Sequence, residues 1–319
     1  WLDSGAPWPK ANASKSGASD PKHHWAFLPP KRPPVPKVGK SPSVNPIDAF
    51  INQRLATTKI NASGKADRLT LIRRATYDLT GLPPTPLEVD AFLADKRPGA
   101  WERVVDRLLK SPHYGEKWGR LWLDIVHYAD TAGENSDHPL PHMWKYRNWV
   151  IDALNRNLPY NMFLQHQLAG DLLAEQLTGD AARDSRIATG FLAGARRFGH
   201  DIDADMHLTY EDVIDTTSKA TLGLSLACAR CHDHKFDPIT QKDFYRLFAF
   251  FDDIDEAGLY SFFSAGDAPT PAMKLFSDDA KKSRPNLEEA ERSAKSKLKA
   301  IAAAQQAAFS EWLENRGSL

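Results

Sequence analysis

The chain's only two cysteines, Cys228 and Cys231, lie inside one five-residue run, Cys228-Ala-Arg-Cys231-His232. No framework of disulfides can staple such a chain, so its 319 residues must build their own apolar core. The run itself is C-x-x-C-H. On one helical turn, two thiols at this spacing reach the two vinyl groups of a porphyrin. The next residue, His232, then lies under the iron as proximal axial ligand. The spacing points to one covalent haem c. Two other readings stay open. Zinc would take Cys228, Cys231 and His234, but no second C-x-x-C or H-x-x-x-H supplies a fourth ligand. A redox dithiol would prefer a strand before the motif, whereas residues 212–227 carry a helical pattern.

Lys+Arg and Asp+Glu both number 41, so the formal net charge is zero and nucleic acid is not an expected partner. Hydrophobic residues at 42% and charged residues at 26% suit a folded chain of one large domain or two ordinary ones. No apolar run reaches the roughly 18 residues of a membrane span. The chain opens on Trp1 with no signal peptide, and is expected to be a processed product or a piece of a longer precursor.

Ten of the 22 prolines fall within residues 1–46. That density excludes long helix. Residues 1–45 are expected to be an extended arm, docked through Trp1–Pro9 and His24-Trp25-Ala26-Phe27, with a plain linker as the alternative. From Pro46 onward the spacing becomes helical, with Ile47, Phe50, Ile51 and Leu55 on one face. Helical segments follow at 69–79, 86–93, 101–109, 112–128, 149–155, 160–168, 181–191, 210–227 and 241–251. Strand signals are sparse. The expected fold is mainly α: an irregular helical c-type cytochrome domain over 46–260, with long ordered loops. Trp118, Trp122 and Phe236 are expected among its core aromatics. A linker at 261–284 then leads to a long C-terminal helix within 285–319 that stops near Gly317. Its seam runs through Leu287, Glu291, Ala294, Leu298, Ile301, Gln305, Ala308 and Trp312. That helix is expected to pack on the body or on a following domain, with a free coiled coil as the alternative.

The residues around the motif, Ala227-Cys-Ala-Arg-Cys-His-Asp-His-Lys-Phe-Asp-Pro-Ile239, resemble the planctomycete-type cytochrome family, the DUF1549 or PSCyt2 domain. The likeness extends in order through His24-Trp-Ala-Phe27, Asn45-Pro-Ile-Asp-Ala-Phe50, Leu71-Ile-Arg-Arg74, Asp78-Leu-Thr-Gly-Leu-Pro-Pro-Thr85, Ser111-Pro-His-Tyr-Gly-Glu116, Tyr128-Ala-Asp130, Tyr146-Arg-Asn-Trp149 and Gln167-Leu-Ala-Gly-Asp171. It implies a bacterial haem-c domain. A cytochrome domain often precedes it, whose tail Trp1–Pro9 resembles, and a DUF1553 domain usually follows. Two positions depart from the family: Leu121 stands where His usually precedes Trp-Leu-Asp, and His127 where Arg usually precedes Tyr-Ala-Asp.

Haem c implies export with reduced thiols, hence a periplasmic, cell-surface or secreted home. Met206 and His142 are the leading distal ligands; His127, His138, His200, His207 and Met143 also stand on candidate segments, and an open site is the alternative. His234 is expected to order its loop with Asp233 and Asp237, or to hydrogen-bond a haem propionate. Asp201-Ile-Asp-Ala-Asp205 with Glu211-Asp212 reads either as half a calcium loop, with Met206 where glycine is expected, or as a solvated acidic loop. Three functions follow. The first is extracytoplasmic electron transfer with other redox domains or carriers, including the remainder of a precursor. The second is oxidation or cleavage of a substrate such as a carbohydrate at an open distal face, with His127, Tyr128, Asp130 and Arg147 as catalytic candidates. The third uses haem as a staple of the core.

Overall fold

Three helices begin by one local recipe. Asn45, Thr85 and Ser111 each turn a side-chain oxygen to a first-turn amide, and a proline takes the next position. In the computed structural model these open α1 (Pro46–Thr58), α3 (Pro86–Ala94) and α5 (Pro112–Ile125). The structure describes residues 24–37, 45–132, 137, 139–196, 202–254, 273–276 and 278–316, without the side chains of 202–205 and 278. The remaining helices are α2 (Arg68–Thr80), α4 (Ala100–Leu109), α6 (Trp144–Asn155), α7 (Tyr160–Ala174), α8 (Gly179–Ala188), α9 (Gly190–Ala193), α10 (Ile202–Leu222), α11 (Gln241–Phe248) and α12 (Asp278–Asn315). Among the described residues the only β pairing is an isolated bridge, Thr131 to Pro139. The mainly α expectation holds. No described helix is long and apolar enough to cross a membrane.

Three apolar clusters hold the part before residue 270. Ile72, Phe92, Val104 and Leu108 join α2, α3 and α4. Arg68 ties this corner together: its guanidinium lies 3.9 Å from the Phe92 ring centre and donates to the carbonyls of Phe92 and Asp95. The second cluster gathers Leu123, Tyr146, Trp149, Val150, Phe163 and Phe191 from α5, α6, α7 and α9. At its centre Gln167 Oε1 accepts from Trp122 Nε1 (2.9 Å) and Tyr146 Oη (2.6 Å), while Gln167 Nε2 donates to Phe163 O (2.9 Å). Close α7–α8 contact requires Gly170, because a Cβ there would meet Ser185 O at 2.1 Å. The third cluster joins Tyr210, Val213 and Ile214 of α10 to Leu226, Ala229 and Phe244. Leu192 packs against both the second and third clusters.

Several expectations are corrected. The helix before the motif starts at Ile202 rather than 210 and ends at Leu222 rather than 227. Gly223 adopts φ +66°, a left-handed stop that alternating apolar residues on either side had hidden. The inward face of α5 is Gly115, Gly119 and Leu123, so Trp118, one step off phase, is 40% exposed; only Trp122 of the expected aromatics reaches the core. Phe236 is 73% exposed. Trp25 is 79% exposed on a 3-10 turn at Trp25–Phe27, while Phe27 of the same piece is half-buried. Trp1–Pro9 lies outside the described residues.

The C-terminal unit is described by itself. Here α12 begins at Asp278, inside the expected linker, and runs through Pro285. Proline there removes one amide donor and crowds the carbonyl four residues back. Ser283 Oγ donates to Asp279 O (2.9 Å) and Arg284 pairs with Glu288 (2.6 Å) across the same turns. Within this unit every side chain from Lys281 to Arg316 is exposed. Gly317 lies outside the described residues.

Candidate functional site

The motif occupies a 3-10 turn, Ala227–Arg230, that opens after four non-helical residues from Gly223. Ala229 is wholly buried and Leu226 nearly so, packed with Phe244 and Ile214. Anchoring Ala229 inward leaves Cys228, Cys231 and His232 on the outside, and all three are exposed. Both thiols are free.

The turn is held from two sides. Arg230 O accepts from Gln241 Nε2 (3.0 Å) and Tyr245 Oη (3.3 Å) of α11. The Arg230 guanidinium pairs with Glu211 of α10 and lies against Cys231, and these two partners hold its pKa above the ordinary arginine value, Cys231 first. Asp233 serves twice. Its carboxylate accepts the Gln241 amide (2.8 Å) at the start of α11, and its carbonyl bonds His232 Nδ1 (2.8 Å). A carbonyl can only accept, so Nδ1 carries a proton, and in the neutral imidazole Nε2 is then the nitrogen with the lone pair. That is the arrangement of a metal-binding imidazole, whose other nitrogen is fixed by a backbone or carboxylate oxygen. His234, by contrast, has a nearly buried side chain that orders its loop with Asp237. Its Nδ1 accepts the amides of Asp237 (2.9 Å) and Phe236 (3.4 Å), and its own amide reaches Ile239 O (2.8 Å). This spends the third ligand of the zinc reading. Among the described residues no three His, Cys, Asp or Glu side chains converge as a metal group.

Haem c fits what is present. Two outward thiols share one turn with an imidazole whose Nε2 is available. Leu222, Phe236, Tyr245 and Phe250, on the elements that carry or flank the turn, are each more than half exposed. Of these, Tyr245 is the one bonded to the turn, through Arg230 O. Met206 packs in the same cluster as Ala229. His142 is exposed just ahead of α6, beside Met143 of the second cluster, and His207 is exposed on α10. His138 and His200 lie outside the described residues. So do Asp201 and the side chains of Asp203 and Asp205; Glu211 pairs with Arg230, and Asp212 accepts the Arg196 amide (3.0 Å).

Three of the four catalytic candidates come together at another place. Tyr128 Oη donates to Asp130 Oδ1 at 2.5 Å, and Tyr128 and Arg147 line one open cleft of about 280 Å³. Burial, then the Asp130 carboxylate, pushes the Tyr128 pKa upward, so its hydroxyl stays a donor. Leu140 N donates to Asp130 O (2.8 Å), which pins the loop. His127 turns the chain out of α5 at φ 56° and is exposed. The cleft also holds Glu116, Arg120 and Asp124, which sequence reading missed, although their i, i+4, i+8 spacing marks one face of α5. Leu121 is exposed on the same helix. A second missed cavity of about 420 Å³ lies among Trp149, Met162, His166, Leu173 and Asp184. There His166 Nδ1 meets Ser185 Oγ (2.8 Å), whose proton is committed to Gly170 O (2.7 Å), and burial lowers the His166 pKa. This cavity forms where α6, α7 and α8 meet.

Residues 46–256 match the family described as Protein of unknown function (DUF1549), PSCyt2, and the chain belongs to that family. No curated protein and no solved structure matches it.

Proposed function

From that membership and the geometry of the turn, we propose that residues 46–256 carry one haem c and serve extracytoplasmic electron transfer within a larger multidomain protein. The carrying observation is the Asp233 carbonyl on His232 Nδ1, which leaves Nε2 free beside two exposed thiols. Cys228 and Cys231 would hold the group through thioethers and His232 would hold its iron. Bound there, the haem supplies a one-electron iron couple. The chain's own contribution is to fix the ligands. Asp233 orients the imidazole, Gln241 and Tyr245 clamp the turn, and buried Ala229 keeps both sulfurs outward. Met206, in the motif's own cluster, is the distal candidate carried forward. Thioether formation calls for export, so a periplasmic or cell-surface setting and redox partner domains go with this reading. Because the three attachment residues face out, an attached electron carrier is favoured over an internal staple.

One observation favours a second reading. The cleft lined by Tyr128 and Arg147 offers a guanidinium, the carboxylates of Glu116 and Asp124 and a phenol oxygen to a polar substrate such as a carbohydrate, with Asp130 holding the Tyr128 hydroxyl. A haem-dependent oxidoreductase would use that cleft. Protein matured with cytochrome c biogenesis machinery decides the first point: intact mass should rise by one haem, and an unmodified mass rejects the attachment. Carbon monoxide decides the second. A reduced spectrum that ignores the gas supports electron transfer; ready binding supports the open-site enzyme.

A further inference from the structure

The exposed row on α12 is too long to be accidental. Leu298, Ile301, Phe309 and Trp312 are each more than half exposed. A helix gains most of its stability by burying an apolar face, and a row of this extent marks an interaction surface. Its seam, Ala294, Leu298, Ile301, Gln305, Ala308 and Trp312, alternates steps of four and three, the 3.5-residue period of a left-handed coiled coil.

The seam is complementary to itself when read backwards. If a second copy runs antiparallel with Ala303 opposite its equivalent, Ala294 faces Trp312, Leu298 faces Ala308 and Ile301 faces Gln305. Each layer occurs twice, and two of the three set a bulky side chain against alanine, so volumes interdigitate. The same register decides the flanking positions. Lys297 of one copy meets Glu311 of the other, and Glu288 meets Arg316. Lys295 lies against Phe309, a cation beside a ring. Ala302 and Ala304 face their own equivalents, which lets the backbones approach. No like charges meet. Among the described residues neither Lys297 nor Glu311 has an ion partner along α12. Carried back to Glu291, the antiparallel register faces it with Asn315, whereas a parallel pairing places Glu291 against Glu291 and Trp312 against Trp312.

We infer that α12 pairs with α12 of a second copy of this chain as an antiparallel coiled coil centred on residue 303. The dimer so formed carries two copies of the 46–256 domain.

Sedimentation equilibrium of the whole 319-residue chain tests this. The parent should pass from monomer to dimer as concentration rises into the high micromolar range. Lys297→Glu and Glu311→Lys each turn two attractive contacts into two repulsive ones, and each should weaken the dimer about tenfold at low salt. The double variant Lys297→Glu/Glu311→Lys should recover the parent value. An equimolar mixture of the two single variants should associate more tightly than either alone. Both sites are on a bare helix face, so unchanged circular dichroism should show that the fold is intact. A parent that stays monomeric overturns the inference. So does a dimer that neither charge reversal weakens, because it must form through another surface or in parallel.

Discussion

Gln167→Leu probes the knot at the centre of the second cluster. Gln167 is 1% exposed and makes three side-chain bonds, with Trp122, Tyr146 and Phe163. Leucine keeps most of the volume, so the change removes bonds and opens little space. Trp122 Nε1 retains its contact with Tyr146 Oη at 3.1 Å. The Tyr146 hydroxyl loses its acceptor in a site where the residue is 3% exposed. Three bonds at about 1 kcal/mol each, with the stranded hydroxyl at the costly end of that range, give a loss of about 3–4 kcal/mol. Urea unfolding followed by tryptophan fluorescence should show it as a midpoint lowered by about 1–2 M, taking a slope of about 2–3 kcal/mol/M. Adding Tyr146→Phe removes the stranded group. The double variant should therefore cost at least about 1 kcal/mol less than the sum of the singles. A midpoint shift below about 0.3 M, or strict additivity, would refute the claim that Gln167 braces the core.

Tyr146 also sets an alkaline limit. Burial raises its pKa above the ordinary value of 10.0 in the folded chain, so between pH 10 and that higher value the folded state binds the proton and the unfolded state has lost it. Stability is then full below about pH 10 and falls as pH rises further; urea midpoints should decline there, and less steeply in Tyr146→Phe. Gly170→Ala should destabilise by about 1–3 kcal/mol, since its Cβ would press on Ser185 O and force α7 from α8; a thermal midpoint equal to the parent's would contradict the close approach.

What could be read along the chain was what one segment decides for itself. Asn45-Pro46, Thr85-Pro86 and Ser111-Pro112 carry cap and first turn in adjacent residues, and all three helices start there. Phase was harder. The inward face of α5 is built on Gly115 and Gly119, which carry no apolar signal, so the pattern drew the eye to Trp118. Boundaries that depend on backbone conformation were likewise hidden, as at Gly223, where apolar residues continue on both sides of the left-handed residue that ends the helix. Several residues that carried the family resemblance proved to be packing devices: Gly115, Gln167 and Gly170 are buried between helices. The same division runs through the candidate site. C-x-x-C-H names three attachment residues by spacing alone. It does not say that residue 229 must be small and buried for both sulfurs to face outward, nor that Asp233 should hold α11 with its carboxylate and His232 with its carbonyl. Those relations join segments that meet only in the fold, through Phe244 and Gln241 of a helix nine residues beyond His232. The ligands are therefore legible in one dimension, and the choice of which imidazole nitrogen is free is not.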